Sequence, residues 1–179
     1  MRYKIIALFG KAGAGKDYIQ KMMVNNSNMH GIISSTTRPP RQNEKNDIDY
    51  HFLDNKTFAQ QVLDGTMLEA TIFRDWCYGT SLNDLSDQHI NIGVFNIQGI
   101  ECLLQDSRLD IQPVYIKAAD KIRLLRQLQR EECPDCMEIC RRFSTDYKDF
   151  LNIPFKYITI INDKTSLHKI STILCNIFV

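Results

Sequence analysis

Short apolar runs alternate with longer amphipathic stretches along most of this chain. Continuous apolar runs predict buried parallel strands at residues 4–9, 92–97, 112–116 and 157–161, with a shorter one at 31–35. Helical periodicity follows these runs at residues 18–24, 100–104, 120–130, 135–150 and 166–178. Strands that alternate with helices indicate an α/β fold, a central parallel sheet between layers of helices.

One region, residues 34–80, departs from this alternation and predicts a small sheet-rich insertion. Its predicted elements are a polar, proline-punctuated segment at 36–49, extended stretches at 50–53, 67–73 and 77–80, a turn at 74–76, and a helix from 56 to about 64 that Asp54 caps and Gly65 ends. Ser81 then has the position of a cap for a short helix.

The composition agrees with one soluble globular domain. The chain has 179 residues, of which 44% are hydrophobic and 24% charged, and its formal net charge is +1. This charge gives no general attraction to nucleic acid or to a membrane. No apolar run approaches bilayer length, and the first residues show no signal-peptide pattern. We therefore expect a cytoplasmic protein, a monomer or homodimer, whose partners are small molecules.

Cysteine usage is consistent with that compartment, since six cysteines without a secretory signal are expected to be reduced thiols. Cys133, Cys136 and Cys140 form the only cluster in the sequence. Half of a zinc site, a redox pair and incidental thiols are the three interpretations. A second C-x2-C is missing from the sequence, which favours incidental thiols.

The strongest chemical signal is the sequence GKAGAGK at residues 10–16. It fits the phosphate-loop spacing G-x4-G-K and lies between a predicted strand and a predicted helix. Glycines let successive backbone N–H groups point at one anion, while the helix N-terminus and the lysine add positive charge. The loop therefore predicts a site for the phosphates of ATP, formed by Lys11, Ala12, Gly13, Ala14, Gly15 and Lys16.

Asp17 occupies the place where this loop usually has Ser or Thr, whose hydroxyl ligates Mg²⁺. A carboxylate can also ligate Mg²⁺, directly or through water. In the other interpretations Asp17 only favours the helix dipole, or its charge weakens nucleotide binding.

Motifs spread over nearly the whole chain resemble the guanylate kinase family. They are SSTTRPPRQNE at 34–44, DYHF at 49–52, GTMLE at 65–69, YGT at 78–80, NIQG at 96–99, R-x3-R at 126–130, I-x2-R at 139–142 and IND at 161–163. Their order and spacing match the family apart from a one-residue insertion near Pro134. The resemblance implies a P-loop fold and ATP-dependent, Mg²⁺-assisted phosphoryl transfer to GMP or dGMP. It divides the single domain into a core (1–33, 81–120 and 143–179), a nucleoside monophosphate (NMP) binding region (34–80) and a helical lid (121–142).

The residue types in the NMP-binding region suit an anionic acceptor. Arg38 and Arg41 are three residues apart in a proline-stiffened loop, where two guanidinium groups can grip one phosphate. Tyr50 and Tyr78 can each donate an O–H to the same anion. A solvated arginine face is the alternative, which the flanking prolines and the family match disfavour.

The resemblance assigns the guanine base to Ser34, Glu69, Thr80 and the position of Asn96. Guanine offers two adjacent donors, N1–H and N2–H2, and the Glu69 carboxylate can accept both. Because adenine has no N1–H, this contact would discriminate against AMP.

Arg130 and Arg142 fall in the segment that corresponds to the family's lid, and Asn162 corresponds to a position near the donor adenine. Together with Lys16 and Arg38, the two lid arginines are the predicted catalytic groups. The alternative is that residues 120–130 form only a solvated basic helix.

At the end of the third core strand the chain departs from the family, which has two acids in the pattern D-x-D-x-Q-G. Here Val94 and Asn96 replace them. We expect the lost metal carboxylate to reappear as Asp17. The rival functions are a non-enzymatic guanylate-kinase-like binding module and a kinase for another nucleoside monophosphate or a sugar phosphate.

Overall fold

The computed structural model describes residues 2–41, 44–73, 75–130, 132–163 and 166–178. The strands are β1 (Tyr3–Phe9), β2 (Met29–Gly31), β3 (Ser35–Thr36), β4 (His51–Phe52), β5 (Met67–Phe73), β6 (Trp76–Ser81), β7 (Ile90–Val94), β8 (Leu109–Lys117) and β9 (Ile158–Ile161). The helices are α1 (Lys16–Asn26), α2 (Asn55–Leu63), α3 (Ile97–Leu104), α4 (Asp120–Leu128), α5 (Cys136–Asp149) and α6 (Leu167–Cys175), with a 3-10 turn at Leu82–Asp84.

Within the described residues, the larger sheet is parallel and has the strand order β2-β7-β1-β8-β9. The central strand β1 places Leu8 opposite Val94 on one side and Val114 on the other. The carboxyl ends of these strands therefore meet at one edge, where ligands bind in such sheets. The predicted α/β class with a central parallel sheet is confirmed.

Side chains of β1 alternate between the two faces of this sheet. Ile6 and Leu8 pack with residues of α1 and α6 on one face, whereas Ile5, Ala7 and Phe9 pack with residues of α3 on the other. All five are fully buried. Fully burying each of the large side chains stabilises the fold by roughly 1.5–3 kcal/mol, so the strand that leads into the phosphate loop is firmly anchored.

The smaller sheet has the order β4-β3-β6-β5 and mixes parallel and antiparallel pairing. It is built from the region that the sequence sets apart. The β5 strand has its predicted bounds, and Asp54 caps α2 by accepting from the backbone N–H of Thr57 at 2.8 Å. Ser81 likewise caps the short 3-10 turn.

Four predicted elements are corrected by the structure. The single strand expected at 31–35 is wrong, because β2 pairs with β7 while β3 pairs in the smaller sheet, so the chain crosses between sheets at 32–34. The strand expected at 92–97 ends at Val94, and α3 begins at Ile97 rather than near residue 100. The basic helix ends at Leu128. Arg74 of the predicted turn, and Gln42 and Asn43 of the predicted loop, lie outside the described residues.

None of the helices in the described ranges is both long and apolar enough to span a membrane.

Candidate active site

The phosphate loop leaves the carboxyl end of β1 and enters α1. The Lys16 ammonium donates back to the Gly10 carbonyl at 2.8 Å and contacts the Lys11 carbonyl at 3.3 Å. Burial lowers the pKa of Lys16, and the nearby Asp17 and Asp146 carboxylates oppose that shift. Gly13 has φ +77°, and a Cβ there would lie 2.6 Å from the Arg123 carbonyl oxygen, so this turn of the loop requires glycine.

Asn162 joins the end of β9 to this loop. Its Nδ2 donates to the Ala14 carbonyl at 2.9 Å, and its backbone N–H donates to the Lys117 carbonyl at 2.7 Å. Arg126, which sequence reasoning did not select, donates to the Ala14 carbonyl at 3.2 Å and to the Asn162 carbonyl at 2.8 Å. The structure thus brings the predicted donor-side residues together.

Across the cleft, Glu44 orders the two arginines of the predicted phosphate clamp. Arg38 Nη2 donates to Glu44 Oε2 at 2.8 Å, and the Arg41 backbone N–H donates to the same oxygen at 2.9 Å. Arg41 Nη1 contacts Glu44 Oε1 at 3.4 Å. Burial lowers the pKa of Arg41, and the neighbouring Arg38, Arg130 and Arg142 lower it further, with Glu44 opposing them. Arg130 and Arg142 are therefore close enough to the predicted clamp to influence Arg41 electrostatically.

The predicted tyrosine pair lies beside the clamp. The Tyr50 and Tyr78 rings are 6.2 Å apart, and the Arg38 guanidinium lies 5.5 Å from the centre of the Tyr50 ring. Burial raises the pKa of Tyr50 to about 12, with a contribution from the Asp17 carboxylate. The phenol therefore stays protonated and can donate to an anion, and Asp17 lies on the cleft side of α1.

A small polar pocket follows, formed by Ser34, Glu69 and Thr80. Ser34 Oγ and Thr80 Oγ1 are 3.2 Å apart, and Thr80 also hydrogen-bonds the Glu69 carboxyl group. Glu69 is only 7% exposed, and burial raises its pKa to about 7 while the Thr80 bond opposes the shift. A Cβ on Gly99 would lie 3.0 Å from Glu69 Oε2, so a larger residue here would have to displace the carboxylate by a few tenths of an ångström.

Asn96 borders this pocket, but its side chain is held by neighbouring groups. Its Oδ1 accepts from the Gly99 backbone N–H at 2.6 Å, which caps α3, and its Nδ2 donates to Thr71 Oγ1 at 2.8 Å. This cap explains why the apolar run at 92–97 does not continue as a strand.

In the segment predicted to be the lid, Arg142 is fixed by Glu138, whose Oε1 accepts from Arg142 Nε at 2.9 Å. Arg130 lies beyond the end of α4 and is exposed. The alternative of a solvated basic helix is wrong at Arg123, which is 2% exposed and contacts the phosphate loop.

Asp17 is exposed in the first turn of α1, directly after Lys16. Among the described residues, no group of three or more His, Cys, Asp or Glu side chains could hold a metal ion. The zinc interpretation of the cysteine cluster therefore gains no support, and all six thiols are free. A nucleotide-bound Mg²⁺ draws most of its ligands from phosphates and water, so one carboxylate at this position fits it.

Two groups in contact with the loop, Arg123 and Asp146, escaped sequence reasoning. Both lie on helices rich in charged residues, and no local signal in the sequence distinguishes them from the other charged side chains there.

A phosphate loop at the carboxyl edge of a parallel sheet, together with a smaller sheet that carries the Arg38–Arg41 pair and the buried Glu69, indicates a nucleoside monophosphate kinase of the P-loop class. The family model described as guanylate kinase matches residues 2–177. The chain therefore belongs to the guanylate kinase family.

Individual relatives agree with this assignment. The chain is 31% identical over 179 residues to the guanylate kinase of Wolbachia pipientis wMel, which covers 95% of this chain and 88% of the relative. It is 28% identical over 166 residues to the guanylate kinase of Campylobacter jejuni strain RM1221, and this match covers 89% of this chain and 81% of the relative. The crystal structure of the guanylate kinase from Anaplasma phagocytophilum matches its fold with a TM-score of 0.72 at 16% identity, covering 99% of this chain and 85% of that one.

Proposed function

We propose that this kinase transfers the γ-phosphoryl group of ATP to GMP or dGMP, giving ADP and the corresponding diphosphate. The observation that carries the proposal is the combination of Lys16 on its loop, the Arg38–Arg41 pair ordered by Glu44 and the buried Glu69 carboxyl group. These groups match, in order, a donor phosphate, an acceptor phosphate and a guanine edge.

The donor nucleotide occupies the phosphate loop. Backbone N–H groups of residues 13–17 and the Lys16 ammonium hold the phosphates, whereas the Ala12 N–H donates to Asp146 Oδ2 at 2.8 Å. Asn162 lies beside the adenine, a position supported by its bond to the Ala14 carbonyl.

The acceptor nucleotide lies on the smaller sheet. Arg38, Arg41, Tyr50 and Tyr78 bind its phosphate. Ser34, Glu69 and Thr80 bind the guanine. Asn96 contributes on the guanine side, because it accepts from the Gly99 N–H and so holds the first turn of α3 beside Glu69.

Phosphoryl transfer needs little chemistry from the protein, because the attacking group is already an anionic phosphate oxygen. Catalysis then comes from holding the two phosphates in line and neutralising charge. Lys16, Arg38, Arg130 and Arg142 supply positive charge around the transferred group. Residues 121–142 act as a lid over residues 34–80, and their closure excludes water, which suppresses hydrolysis of ATP.

We place the metal at Asp17, whose exposed carboxylate directly follows Lys16 and is close enough to Tyr50 to influence its pKa. Asp17 would hold Mg²⁺, which would supply positive charge to the donor phosphates. Free thiols at all six cysteines are consistent with a cytoplasmic enzyme, which we expect to be a monomer or homodimer.

A coupled ADP-release assay with GMP, dGMP, AMP, CMP and UMP as acceptors tests the proposal. We expect turnover with GMP and dGMP, weak or no turnover with the others, and its loss in Lys16→Ala. Calorimetric binding of GMP without turnover would favour a binding module, and preference for another acceptor would favour a different kinase.

A further inference from the structure

We propose that the ion pair between Arg123 and Asp146 is a positioning device that sets the phosphate loop for the donor nucleotide through its hold on Ala12. The inference rests on the proposed kinase activity but concerns residues that the donor and acceptor sites do not include.

Both backbone groups of Ala12 are bound by this one ion pair. Arg123 Nε donates to the Ala12 carbonyl at 2.9 Å, and the Ala12 N–H donates to Asp146 Oδ2 at 2.8 Å. The Arg123 guanidinium also donates through Nη2 to the same Asp146 oxygen. Ala12 cannot change its backbone conformation without breaking a hydrogen bond to Arg123 or to Asp146. The ion pair therefore restricts the conformation of the loop.

Further contacts fix the Arg123 guanidinium. Its Nη1 donates to Asp120 Oδ1 at 2.6 Å, and its plane lies 4.4 Å from the centre of the Phe143 ring. The Arg123 backbone takes part as well, because its carbonyl oxygen packs against Gly13. Arg123 thus contacts two successive loop residues, one through its side chain and the other through its main chain.

The pair also joins the loop to the lid. Arg123 belongs to α4 and Asp146 to α5, the two consecutive helices that contribute residues to the lid at 121–142. Arg142 lies one helical turn before Asp146, on the same helix. A shift of α4 against α5 therefore acts on the phosphate loop and on a lid arginine together.

The charge on Asp146 depends on the same contacts. Burial raises the pKa of Asp146, while the Ala12 N–H and the Arg123 guanidinium oppose that shift. Removing the Asp146 charge leaves Arg123 buried without its main counter-charge, which destabilises the local structure. The damage is concentrated on the donor side of the cleft, because the pair contacts the phosphate loop and makes no contact with the Glu44 clamp in the described residues.

Steady-state kinetics of Asp146→Ala, Asp146→Asn and Asp146→Glu test the proposal by comparing KM for ATP with KM for GMP. We expect Asp146→Ala to raise KM for ATP at least fivefold and lower kcat at least tenfold, with KM for GMP within twofold of the parent. Asp146→Asn retains an acceptor for the Ala12 N–H and should be intermediate. Asp146→Glu retains the charge and should recover part of the loss.

Asp106→Asn is the matched control. Asp106 also pairs with an arginine, Arg108, at 2.6 Å, but that pair precedes β8 and lies at the opposite edge of the sheet from the loop. The control should keep both KM values. A lower melting temperature in Asp146→Ala with an unchanged ratio of the two KM values would show a purely structural pair and overturn the proposal.

Calorimetry of ATP binding keeps this test independent of turnover. If Asp146→Ala fails to fold, Arg123→Lys serves instead, because an ammonium group keeps the charge but loses the fork that binds Ala12 and Asp146 together. Weaker ATP binding with unchanged GMP binding supports the proposal even if the parent shows no kinase activity. Equal ATP affinity in parent and variant contradicts it.

Discussion

Arg38 and Glu44 form an ion pair at 2.8 Å in which the two side chains are only 11% and 12% exposed. The carboxylate also binds the main chain of Arg41, so one acid orders both arginines of the acceptor clamp. Because Glu44 holds the Arg38 guanidinium, little side-chain entropy of Arg38 remains to be lost on phosphate binding. Arg38 is therefore the preorganised member of the predicted clamp.

Arg38→Ala and Arg41→Ala should both weaken GMP binding, but only the first should also destabilise the fold. Each loses a charge-assisted contact worth roughly 1.5–3 kcal/mol, which corresponds to about 10- to 150-fold in affinity. Arg38→Ala additionally leaves Glu44 with little counter-charge, whereas Arg41 is 41% exposed and its loss leaves the Arg38–Glu44 pair intact. Calorimetric titration with GMP and thermal melting measure the two effects.

Arg108→Ala provides the control for lost surface charge, since Arg108 is half exposed and pairs only with the adjacent Asp106 in the described structure. It should leave GMP affinity unchanged. Normal GMP affinity in Arg38→Ala or in Arg41→Ala would remove that residue from the clamp.

Glu69→Gln should impair recognition of guanine more than binding of phosphate. The amide keeps one acceptor but turns N–H groups towards a base edge that itself donates, which costs roughly 1–3 kcal/mol. Inosine monophosphate lacks the N2 amino group, so the parent should prefer GMP to it and the variant should lose most of that preference. Equal discrimination in the two proteins would place the guanine elsewhere.

GMP affinity should fall as the pH drops through about 7. Burial raises the pKa of Glu69 to about 7, and only the ionised carboxylate can accept both guanine donors. At pH 6 about nine-tenths of the empty protein would be protonated at Glu69, so affinity should be about tenfold weaker than at pH 8. GMP binding near pH 7 should also release a proton, which calorimetry in buffers of different ionisation enthalpy detects.

The phosphate of GMP titrates near pH 6 as well, and Glu69→Gln separates the two effects because it retains only the phosphate contribution.

The pH dependence of folding stability gives a second measurement of the Glu69 pKa. The folded protein binds the Glu69 proton more tightly than the unfolded chain, whose pKa is near 4.5, so this residue makes stability fall between about pH 4.5 and 7. Glu69→Gln should lack that component, and an identical pH profile in both proteins would contradict the raised pKa.

Local signals were sufficient to predict much of the fold and the donor loop. The Met67–Phe73 strand and the Asp54 cap have their predicted positions because period-two alternation and capping depend on neighbouring residues. The strand end at Val94 was less visible, because the cap at Asn96 lies inside an apolar run. The ligand-binding roles expected for residues 34–44 and 65–80 depend on the resemblance, since neither segment alone shows what lies opposite it.

The contact between Arg123 and Asp146 could not be predicted from periodicity. On α4 the leucines suggest an inward apolar face, yet Leu124 and Leu125 are 39% and 45% exposed while Arg123 and Gln127 are buried. The buried face is polar because it packs against the phosphate loop and α5 rather than against the sheet. Such long-range pairing follows from the tertiary structure and leaves no periodic signature in either helix.

Asp17→Asn should raise the Mg²⁺ concentration needed for half-maximal activity, by about fivefold or more. The expectation follows from the position of this exposed carboxylate beside Lys16 and from the absence of an acid at Val94. The variant Asp17→Ser removes the same charge but supplies the hydroxyl that phosphate loops commonly offer to Mg²⁺, and it should stay within about twofold of the parent. If Asp17 only favours the helix dipole, both variants should instead lose a few tenths of a kcal/mol of stability and keep the parent's Mg²⁺ dependence.

The variant Asp110→Asn controls for the change in net charge, because Asp110 is an exposed acid near the amino end of β8. Initial rates across a Mg²⁺ titration at fixed ATP and GMP decide between these accounts: separation of Asn from Ser indicates a metal ligand, and coincident curves for all four proteins would place the metal away from Asp17.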